Sequence, residues 1–545
     1  MSVKIDPELK IPARFQEWRD DQYNAVTAID DSERPHFLLD APTGIGKSLI
    51  GIGTQRIKSY KAEQQVRMAY LCGTKQLQDQ IMRDFGDIAV SLKGKSNYPC
   101  LLREDAFPDI SAEDCNAGNP RECQHYRECG YFRQKELAKK ADIVVLNNAY
   151  FLNEANGWQS SFSGVDIMIA DEVDALDNAL MNYIEFKITS SQLEHYNLLP
   201  PADPEKKESW LDWIPGAIVN LEQQISRSEG RLRQCGFANW GKSEIHENKN
   251  KKAMQRLIDK LSFIQSEVDN TWIFYFQDRD RGGRGGYEFI FKPVTVGKYA
   301  NRFLWDHAEY KVGMSGTILA ADITCRELGI DECDYMRLDS PFPIENRPIY
   351  YKPIANITRK TMYVQLPILK NEIEKDLLKY PDRKVLIHTV SYDIQRYLRD
   401  NLSCQERLTW HTSMDREMAL EDFKKSRRPL VMLSPSFDRG VDLREGDNVG
   451  AQMICKVPYL NLGDPQVKAK TDLPGGWTWY QLKATQTLLQ MTGRSVRSAR
   501  QKCDTYIYDE QFGRLRNQMK NAIPAWWMDA TRDIRPALNQ TGMLI

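Results

Sequence analysis

The 545-residue sequence lacks any segment that could span a membrane, because no uninterrupted apolar run approaches the roughly 20 residues that a bilayer requires. The N-terminal stretch MSVKIDPELKIPARF has no apolar core, so it does not have the pattern of a secretion signal. Both absences predict an intracellular protein, cytoplasmic or associated with the nucleoid, that has no membrane partner.

An excess of charge of one sign is also missing, since 74 Lys and Arg residues stand against 75 Asp and Glu residues. No global basic field therefore marks the chain as a nucleic-acid-binding protein. A nucleic-acid partner is not excluded, because a local basic groove is sufficient for binding.

Cysteine is scarce, with eleven in the chain, but four of them fall in one polar stretch: Cys100, Cys115, Cys123 and Cys129. Disulfides are rare in the reducing cytosol, which leaves metal ligation or unlinked thiols. Structural zinc sites usually contain C-x₂₋₄-C pairs, and this stretch has none. An iron–sulfur cluster also takes four thiolates and accepts wide spacing. On spacing alone, zinc, an iron–sulfur cluster and unlinked thiols all stay open.

Short β-branched runs bounded by turn residues recur along the chain, and helical patterns separate them. Buried strands that alternate with helices indicate parallel sheets. Two sets of runs predict an α/β fold with two parallel-sheet domains. The runs are HFLLDA, MAYLCG, DIVVLN, DIMIADE and KVGMSGT in the first set, and KVLIHT, PLVMLS, AQMICKVP and TYIYDE in the second.

Two stretches interrupt this rhythm: residues 92–141, which hold the four cysteines, and residues 185–295, where strand patterns disappear. We expect residues 185–295 to be a helical insertion, because apolar residues recur there at helical spacing and form one packing stripe. The stripe consists of Leu257, Leu261, Ile264, Val268 and Trp272.

The stretch FLLDAPTGIGKSLIGIG has the pattern of a strand, a glycine-containing loop and a helix, as in a phosphate-binding P-loop. Glycines let backbone N–H groups close on phosphate oxygens, and the helix N-terminus adds a favourable dipole. Lys47 is expected to pair with the β- and γ-phosphates of ATP, and Ser48 to place its hydroxyl on Mg²⁺. The strict pattern has glycine where Ala41 stands, and alanine is small enough to keep that turn tight. The predicted nucleotide-binding residues are Ala41, Pro42, Thr43, Gly44, Ile45, Gly46, Lys47 and Ser48.

The stretch DIMIADEVDAL delivers Asp171 and Glu172 at the end of an apolar strand, where ligands bind in open α/β sheets. We expect Asp171 to hold Mg²⁺ and Glu172 to orient or deprotonate the attacking water. An acidic pair after a strand also occurs as a helix cap, but together with a P-loop it indicates hydrolysis of a nucleoside triphosphate.

The stretch QTLLQMTGRSVRS supplies Gln490, Arg494 and Arg497 as further predicted catalytic residues. Guanidinium groups suit the charge that develops on a transferred γ-phosphate, as an arginine finger does. The alternative interpretation is a solvated basic face. Upstream, Asp442 in SPSFDRGVDLREG is predicted to sense the nucleotide or to brace an arginine.

The ordered set of motifs resembles the XPD/DinG-like iron–sulfur helicases of superfamily 2. It covers about residues 15–510 and comprises RDDQ (Arg19 and Gln22), DAPTGIGKS, AYLCGTKQLQDQ, the four cysteines, ADIVVLNNAYFL, DEVD, GMSGTIL, SFDRGVDL, VPYLNLGDP and QMTGRSVRS. The resemblance implies an ATP-dependent helicase that moves 5′-to-3′ on single-stranded DNA and unwinds forked or tailed duplexes. It also adds Arg19 and Gln22 to the ATP site and assigns the four cysteines to a 4Fe–4S cluster.

The resemblance further implies two RecA-like motor domains with an inserted iron–sulfur domain and an inserted helical arch. The first motor domain would comprise residues 1–91, 142–184 and 296–342, and the second residues 343–545. The iron–sulfur domain would be residues 92–141 and the arch residues 185–295.

Two positions depart from the family pattern. The family usually has DEAH where this chain has DEVD, so Asp174 replaces a histidine. It commonly has glutamate where this chain has Arg439, which reverses the charge at that position. What the family histidine couples to is therefore in doubt for this chain.

Other functions stay open at this point. The ATP motifs do not encode strand separation, so a translocase or remodeller that does not unwind, or one that acts on RNA, is an alternative. A nucleotide-gated clamp is another, although a general base and an arginine finger argue against it. We expect a monomeric motor, with no protein partner identifiable. Trp526 and Trp527 near the C-terminus are expected to pack the last helix, or else to dock a partner.

Overall fold

A computed structural model describes residues 2–101, 110–115, 123–157, 160–236, 240–278, 286–437, 443, 445–493 and 496–534. Within these ranges, no helix combines the length and the apolar character that a membrane crossing requires.

Strands alternate with helices through most of the described chain. The strands are β1 (Ser2–Lys4), β2 (Glu17–Arg19), β3 (His36–Asp40), β4 (Met68–Cys72), β5 (Val90–Ser91), β6 (Ile143–Asn147), β7 (Val165–Asp171), β8 (Phe186–Thr189), β9 (Trp272–Asp278), β10 (Tyr287–Pro293), β11 (Ala308–Ser315), β12 (Asp334–Arg337), β13 (Ile349–Ala355), β14 (Lys384–His388), β15 (Leu408–Trp410), β16 (Val431–Ser434), β17 (Val449–Ile454), β18 (Asp504–Asp509) and β19 (Thr531–Asp533).

The helices vary from one turn to eight. They are α1 (Asp20–Asp31), α2 (Lys47–Ala62), α3 (Lys75–Phe85), α4 (Gly130–Lys140), α5 (Asn148–Ala155), α6 (Leu176–Ile184), α7 (Ser190–His195), α8 (Lys207–Cys235), α9 (Lys242–Glu267), α10 (Gly297–Phe303), α11 (Ala321–Glu327), α12 (Met362–Leu377), α13 (Tyr392–Asn401), α14 (Arg416–Lys425), α15 (Pro465–Thr471), α16 (Gly476–Thr492), α17 (Gln511–Gln518) and α18 (Ala525–Met528).

The first large sheet has seven parallel strands in the order β12-β3-β11-β7-β4-β6-β5. Successive side chains of its central strands enter different cores: Leu38 belongs to one apolar cluster and Leu39 to the other. Because both faces are buried, these strands appear in the sequence as continuous apolar runs. The carboxyl ends of β3 and β7 flank that of β11, so Asp40, Asp171 and Ser315 lie at one edge.

The second large sheet also has seven parallel strands, in the order β15-β16-β14-β17-β18-β13-β19. All nine runs predicted from the sequence lie on strands of the two sheets. Five strands of these two sheets were missed: β5, β12, β13, β15 and β19. Four of these have two to four residues, too few to show a pattern. The fifth, β13, contains Pro353, which argues against a strand, and its pairing with β18 is irregular there.

The stretch 185–295 contains strands, so the expectation that strands disappear there is wrong. The strands β8, β10 and β9 form an antiparallel sheet beside the long helices α8 and α9. Leu261 and Ile264 are buried on α9 as predicted, but Val268 follows the end of that helix and Trp272 begins β9. The spacing of apolar residues stayed helical past the end of α9. The pattern therefore gave no sign of the turn at Asp269 and Asn270 that separates this helix from β9.

The segment between β5 and β6 carries the four cysteines and the helix α4. Tyr131 is buried there, with its ring edge against Tyr98 and its hydroxyl 3.0 Å from that of Tyr150. Aromatic residues of this segment therefore extend the apolar core on one face of the first sheet.

Candidate functional site

The P-loop follows β3 and leads into α2. Gly44 and Gly46 adopt φ values of +91° and +87°, the left-handed region that glycine enters without cost. The Lys47 ammonium donates to the Ala41 carbonyl oxygen at 3.1 Å, so the side chain lies across the loop. Backbone N–H groups of a loop in this conformation, at the N-terminus of a helix, form an anion-binding surface.

Arg19 and Gln22 contact the P-loop. The Arg19 guanidinium donates to the Gly44 carbonyl at 2.7 Å, and the Gln22 amide donates to the Ile45 carbonyl at 2.7 Å. The main-chain N–H of Arg19 in turn donates to the side-chain oxygen of Gln22 at 3.0 Å. These residues therefore brace the loop that would hold the phosphates, and direct contact with a nucleotide stays a prediction.

Asp171 is buried at the end of β7, where the Tyr70 hydroxyl donates to it at 3.0 Å. Burial raises the pKa of the Asp171 carboxyl, and the nearby Lys47 ammonium opposes that rise. The Tyr70 side chain also interacts with Ser48, so one tyrosine joins the two predicted Mg²⁺ ligands. Sequence reasoning missed Tyr70, whose only signal was its place on β4, the strand beside β7.

Glu172 adopts φ +58° and ψ 46°, a left-handed conformation that costs a residue with a side chain about 1–3 kcal/mol. Gly73, at the end of β4, faces its carboxylate: a Cβ at Gly73 would lie 2.8 Å from Glu172 Oε2. The strained backbone and the missing Cβ together fix the direction of the Glu172 side chain. Gly73 is a second residue that sequence reasoning missed.

Asp174 is buried and joins the two domains. The Ser315 and Thr317 hydroxyls donate to its carboxylate at 2.5 and 3.2 Å, and the Gln490 amide of α16 donates at 2.7 Å. Gln490 also donates to the Thr317 hydroxyl at 2.9 Å. The residue that replaces the family histidine is thus coupled to the loop after β11 and to the second domain.

Lys483 of α16 adds a second link between the domains. Its ammonium donates to the main-chain oxygen of Asp174 at 3.1 Å and pairs with the Asp177 carboxylate at 3.0 Å. Lys483 and Asp177 are largely buried, and the charge of Lys483 lowers the pKa of Asp177 against the effect of burial. Removing one partner of a buried ion pair strongly destabilises a protein, because the other charge is then buried and unpaired.

A cleft of about 920 Å³ separates the two sheet domains and contains those predicted catalytic residues that the structure describes. Its volume lies within the range of roughly 300–1,000 Å³ that is usual for ligand sites. The first domain contributes Lys47, Asp171 and Glu172, and the second contributes Gln490 and Arg497. Two further predicted residues, Arg494 and Asp442, lie outside the described part of the chain, as does the departure at Arg439.

The four cysteines of the inserted segment line one enclosed pocket, together with Tyr126 and Phe132. Cys129 immediately precedes α4. In the parts of the chain that the structure describes, no three His, Cys, Asp or Glu side chains are already arranged as ligands of a single metal ion. All eleven cysteines are described, and none forms a disulfide.

Helix α9 contacts the turn that precedes Cys115. Lys249 pairs with Asp114 at 3.2 Å, and Arg256 pairs with Glu113 at 3.3 Å. The Lys252 ammonium donates to the main-chain oxygens of Glu113 and Cys115 at 2.8 and 2.6 Å. The cysteine segment and helix α9 are therefore joined by a polar interface.

Two family models match the chain. The DEAD/DEAH box helicase model matches residues 19–199, which span the P-loop and Asp171–Asp174, and the helicase C-terminal domain model matches residues 375–530, which include Gln490 and Arg497. Each model thus covers one side of the cleft.

Relatives with known names match nearly the whole chain. The ATP-dependent DNA helicase YoaA of Escherichia coli is 23% identical over 90% of this chain and 91% of its own length. The 3′-5′ exonuclease DinG of Bacillus subtilis is 21% identical over 92% of this chain and 70% of its own length.

Solved XPD structures have the same fold. One XPD helicase superposes with a TM-score of 0.60 at 16% identity, covering 95% of this chain and 99% of that chain. Xpd4 of S. tokodaii gives a TM-score of 0.55 at 13% identity, covering 95% and 100%. The predicted fold class of two RecA-like motor domains is confirmed, and the chain carries the DEAD/DEAH box domain and the helicase C-terminal domain of an XPD/DinG-like, ATP-hydrolysing helicase of superfamily 2.

Proposed function

We propose that the chain uses ATP hydrolysis in the cleft between its two sheets to move 5′-to-3′ along single-stranded DNA and to separate duplex strands. The observation that carries this proposal is the network around Asp174. It lies two residues after Glu172 and is bonded to Gln490 of the other domain at 2.7 Å. A change at the phosphates can therefore alter the contact between the domains, which is what coupling of hydrolysis to movement requires.

The residues of the cleft divide the chemistry between them. Lys47 pairs with the β- and γ-phosphates, and Glu172, held by the space at Gly73, orients or deprotonates the attacking water. Arg497, together with Arg494 as predicted from the sequence, stabilises the charge of the transferred γ-phosphate. Arg497 lines the cleft from the second domain, so this contribution depends on the two domains being close.

The donors at the phosphate end suit Mg²⁺. A carboxylate from Asp171 and a hydroxyl from Ser48 are hard oxygen ligands, and both interact with Tyr70. Bound Mg²⁺ would neutralise charge on the β- and γ-phosphates. Tyr70, whose pKa burial raises well above its usual value, remains a hydrogen-bond donor and keeps the Asp171 carboxylate aligned.

The four cysteines fit a 4Fe–4S cluster in their chemistry, because four thiols line one enclosed pocket. The cluster would act as a structural cross-link, since neither ATP hydrolysis nor strand separation needs redox chemistry. Cys115→Ser should then lose iron and unwinding while keeping some ATPase activity. Full unwinding by an iron-free Cys115→Ser protein would contradict this role, and iron and acid-labile sulfide measured against zinc on anaerobically purified protein identifies the metal.

The two insertions, the cysteine segment at residues 92–141 and the arch at residues 185–295, are proposed as the DNA-contacting modules. The polar interface between α9 and the turn before Cys115 supports a shared surface. The name of YoaA, a DNA helicase, supports DNA rather than RNA as the track. Binding would rest on local basic grooves, because the net charge of the chain is −1.

ATPase measurements with and without DNA test this function. We expect single-stranded DNA to stimulate hydrolysis and Lys47→Ala to abolish it, since the loop then lacks its cation. Stimulation by RNA but not by DNA would favour an RNA motor. Binding of DNA that responds to nucleotide without any hydrolysis would favour a clamp.

A further inference from the structure

Three aromatic side chains lie among the described residues that line the ATP cleft: Phe342, Trp526 and Trp527. Trp527 is buried, and its indole N–H is bonded to the Thr492 hydroxyl at 2.8 Å, so it packs the second domain. Phe342 and Trp526 are only half-buried. Phe342 and Trp526 are therefore the aromatic side chains of the described lining that are not fully buried.

Phe342 lies directly against the P-loop. A Cβ built on Gly44 would be 2.2 Å from the end of the Phe342 ring, so the ring occupies the space that the glycine leaves. The same ring packs against an apolar cluster of the second domain. Phe342 thus links the phosphate-binding loop of one domain to the core of the other.

Arg347 joins Phe342 to Trp526. Its guanidinium donates to the Phe342 carbonyl at 3.0 Å and to the Trp526 carbonyl at 2.8 Å, and its centre lies 5.1 Å from the Trp526 ring centroid. Burial lowers the pKa of Arg347, which nevertheless stays charged near neutrality. Two aromatic rings and a planar guanidinium therefore form one continuous group beside Gly44.

We propose that Phe342, Arg347 and Trp526 form the base-binding end of the ATP cleft. When the P-loop holds the triphosphate, the base projects away from the loop. The base binds most favourably where it can stack on aromatic or guanidinium planes. The rest of the described lining consists of polar, charged and aliphatic residues and, apart from the buried Trp527, offers no further aromatic plane. The inference rests on the proposed phosphate site, and it gives the C-terminal helix α18 a direct role in nucleotide binding.

Calorimetric binding of two probes tests the proposal: a non-hydrolysable β,γ-imido analogue of ATP, and inorganic tripolyphosphate, which has no base. Phe342→Ala and Trp526→Ala should each weaken the analogue at least about fivefold, the lower end of what one stacking contact is worth. Tripolyphosphate should bind within twofold of the unchanged protein. Phe342→Trp should restore binding of the analogue, and Trp477→Ala, which changes an exposed tryptophan of α16, should alter neither probe.

Equal weakening of both probes by Phe342→Ala would overturn the proposal, because the ring would then only support the P-loop. Unchanged binding of the analogue in both alanine variants would overturn it as well. Trp526→Ala keeps the test decisive if loss of Phe342 impairs folding. Lys47→Ala separates this proposal from the site itself: it should weaken both probes, and if it weakens neither, the phosphate site is misplaced.

Discussion

Single residues at the edge of the first sheet set the direction of the catalytic groups. Tyr70 aligns Asp171, and the absent side chain of Gly73 leaves room for the Glu172 carboxylate. Both lie on or just after β4, which carries no acid and no base of its own. The placement of the proposed catalytic groups thus depends on residues whose types alone suggest no chemistry.

Gly73→Ala should lower the kcat for ATP at least tenfold and leave KM within about twofold, because the new Cβ displaces the Glu172 carboxylate but does not touch the P-loop. Steady-state ATPase kinetics measure both constants. Gly230→Ala, in open space on α8, is the matched control and should behave like the unchanged protein. A normal kcat in Gly73→Ala would contradict the assigned position of Glu172.

His36 makes stability depend on pH. Its ring, buried in β3 with its edge toward Trp305, has a pKa lowered to about 4, chiefly by burial. The folded state therefore binds a proton on His36 less readily than the unfolded state does. The contribution of neutral His36 to stability is complete above pH 6.5 and is lost as the pH falls towards 4. A shift from 6.5 to about 4 corresponds to at most about 3 kcal/mol over that pH range, less any part that solvent screens.

His36→Phe should remove that part of the pH dependence. Urea unfolding of both proteins at pH 7 and pH 4.5 gives the comparison, read as the difference between the two proteins so that other titrating groups cancel. We expect the variant to lose less stability on acidification than the unchanged protein. Parallel losses in both proteins would show that His36 is not responsible.

At the scale of elements, helix α16 holds the two motor domains in register. Lys483, Gln486 and Gln490 recur along one face of it and contact the loop after β11 and the residues that follow β7. The Asp174 carboxylate receives hydrogen bonds from three side chains, and Lys483 donates to its main-chain oxygen. Through its own carboxylate, the aspartate in place of the family histidine therefore contacts both domains.

Asp174→Ala should uncouple hydrolysis from DNA. Loss of the carboxylate leaves Gln490, Ser315 and Thr317 without their shared acceptor, so we expect stimulation of kcat by DNA to fall about tenfold or more while ATP binding changes little. ATPase titrations with single-stranded DNA measure the effect, and Asp306→Asn, an exposed change, serves as the control. Undiminished stimulation would show that the network does not transmit the signal.

Helix α9 is the corresponding link in the insertions. Lys252→Met keeps the apolar stem of the side chain but removes its two hydrogen bonds to the turn before Cys115. We expect lower iron retention and faster proteolysis within residues 92–141, with ATPase activity in the absence of DNA preserved. Unchanged iron content and protease resistance would mean that the interface does not hold the cysteine segment.

The strands that are buried on both faces were predictable from the sequence. Strands that form only by pairing with distant strands were missed. The nine apolar runs became strands because continuous burial leaves a continuous pattern. The strand β13, with Pro353, and the sheet formed by β8, β9 and β10 depend on distant pairing, which local patterns do not contain. In the site, the charged and glycine residues of the P-loop and Asp171 were predictable from their chemistry. Tyr70, Gly73 and Phe342 were not predictable, because their contacts are with residues that only the fold brings close to them.

On the scale of the whole molecule, the ATP cleft is a joint between two domains. Lys47 and Glu172 belong to one side and Arg497 to the other, so the complete site exists only while the domains stay together. Bridging residues such as Phe342 and Asp174 connect the phosphate end to the second domain. Repeated closure and opening on a bound strand is a physical basis for stepping, and the two insertions supply surfaces that can guide it.

Strand separation on tailed duplexes tests this account most directly. Duplex DNA with a 5′ single-stranded tail and the same duplex with a 3′ tail are each incubated with protein, ATP and Mg²⁺, and the released strand is measured. The account predicts release from the 5′-tailed duplex, little from the 3′-tailed one, and none from either with Lys47→Ala. Release from the 3′-tailed duplex alone would contradict the direction, and DNA-stimulated ATPase without release from either would contradict unwinding.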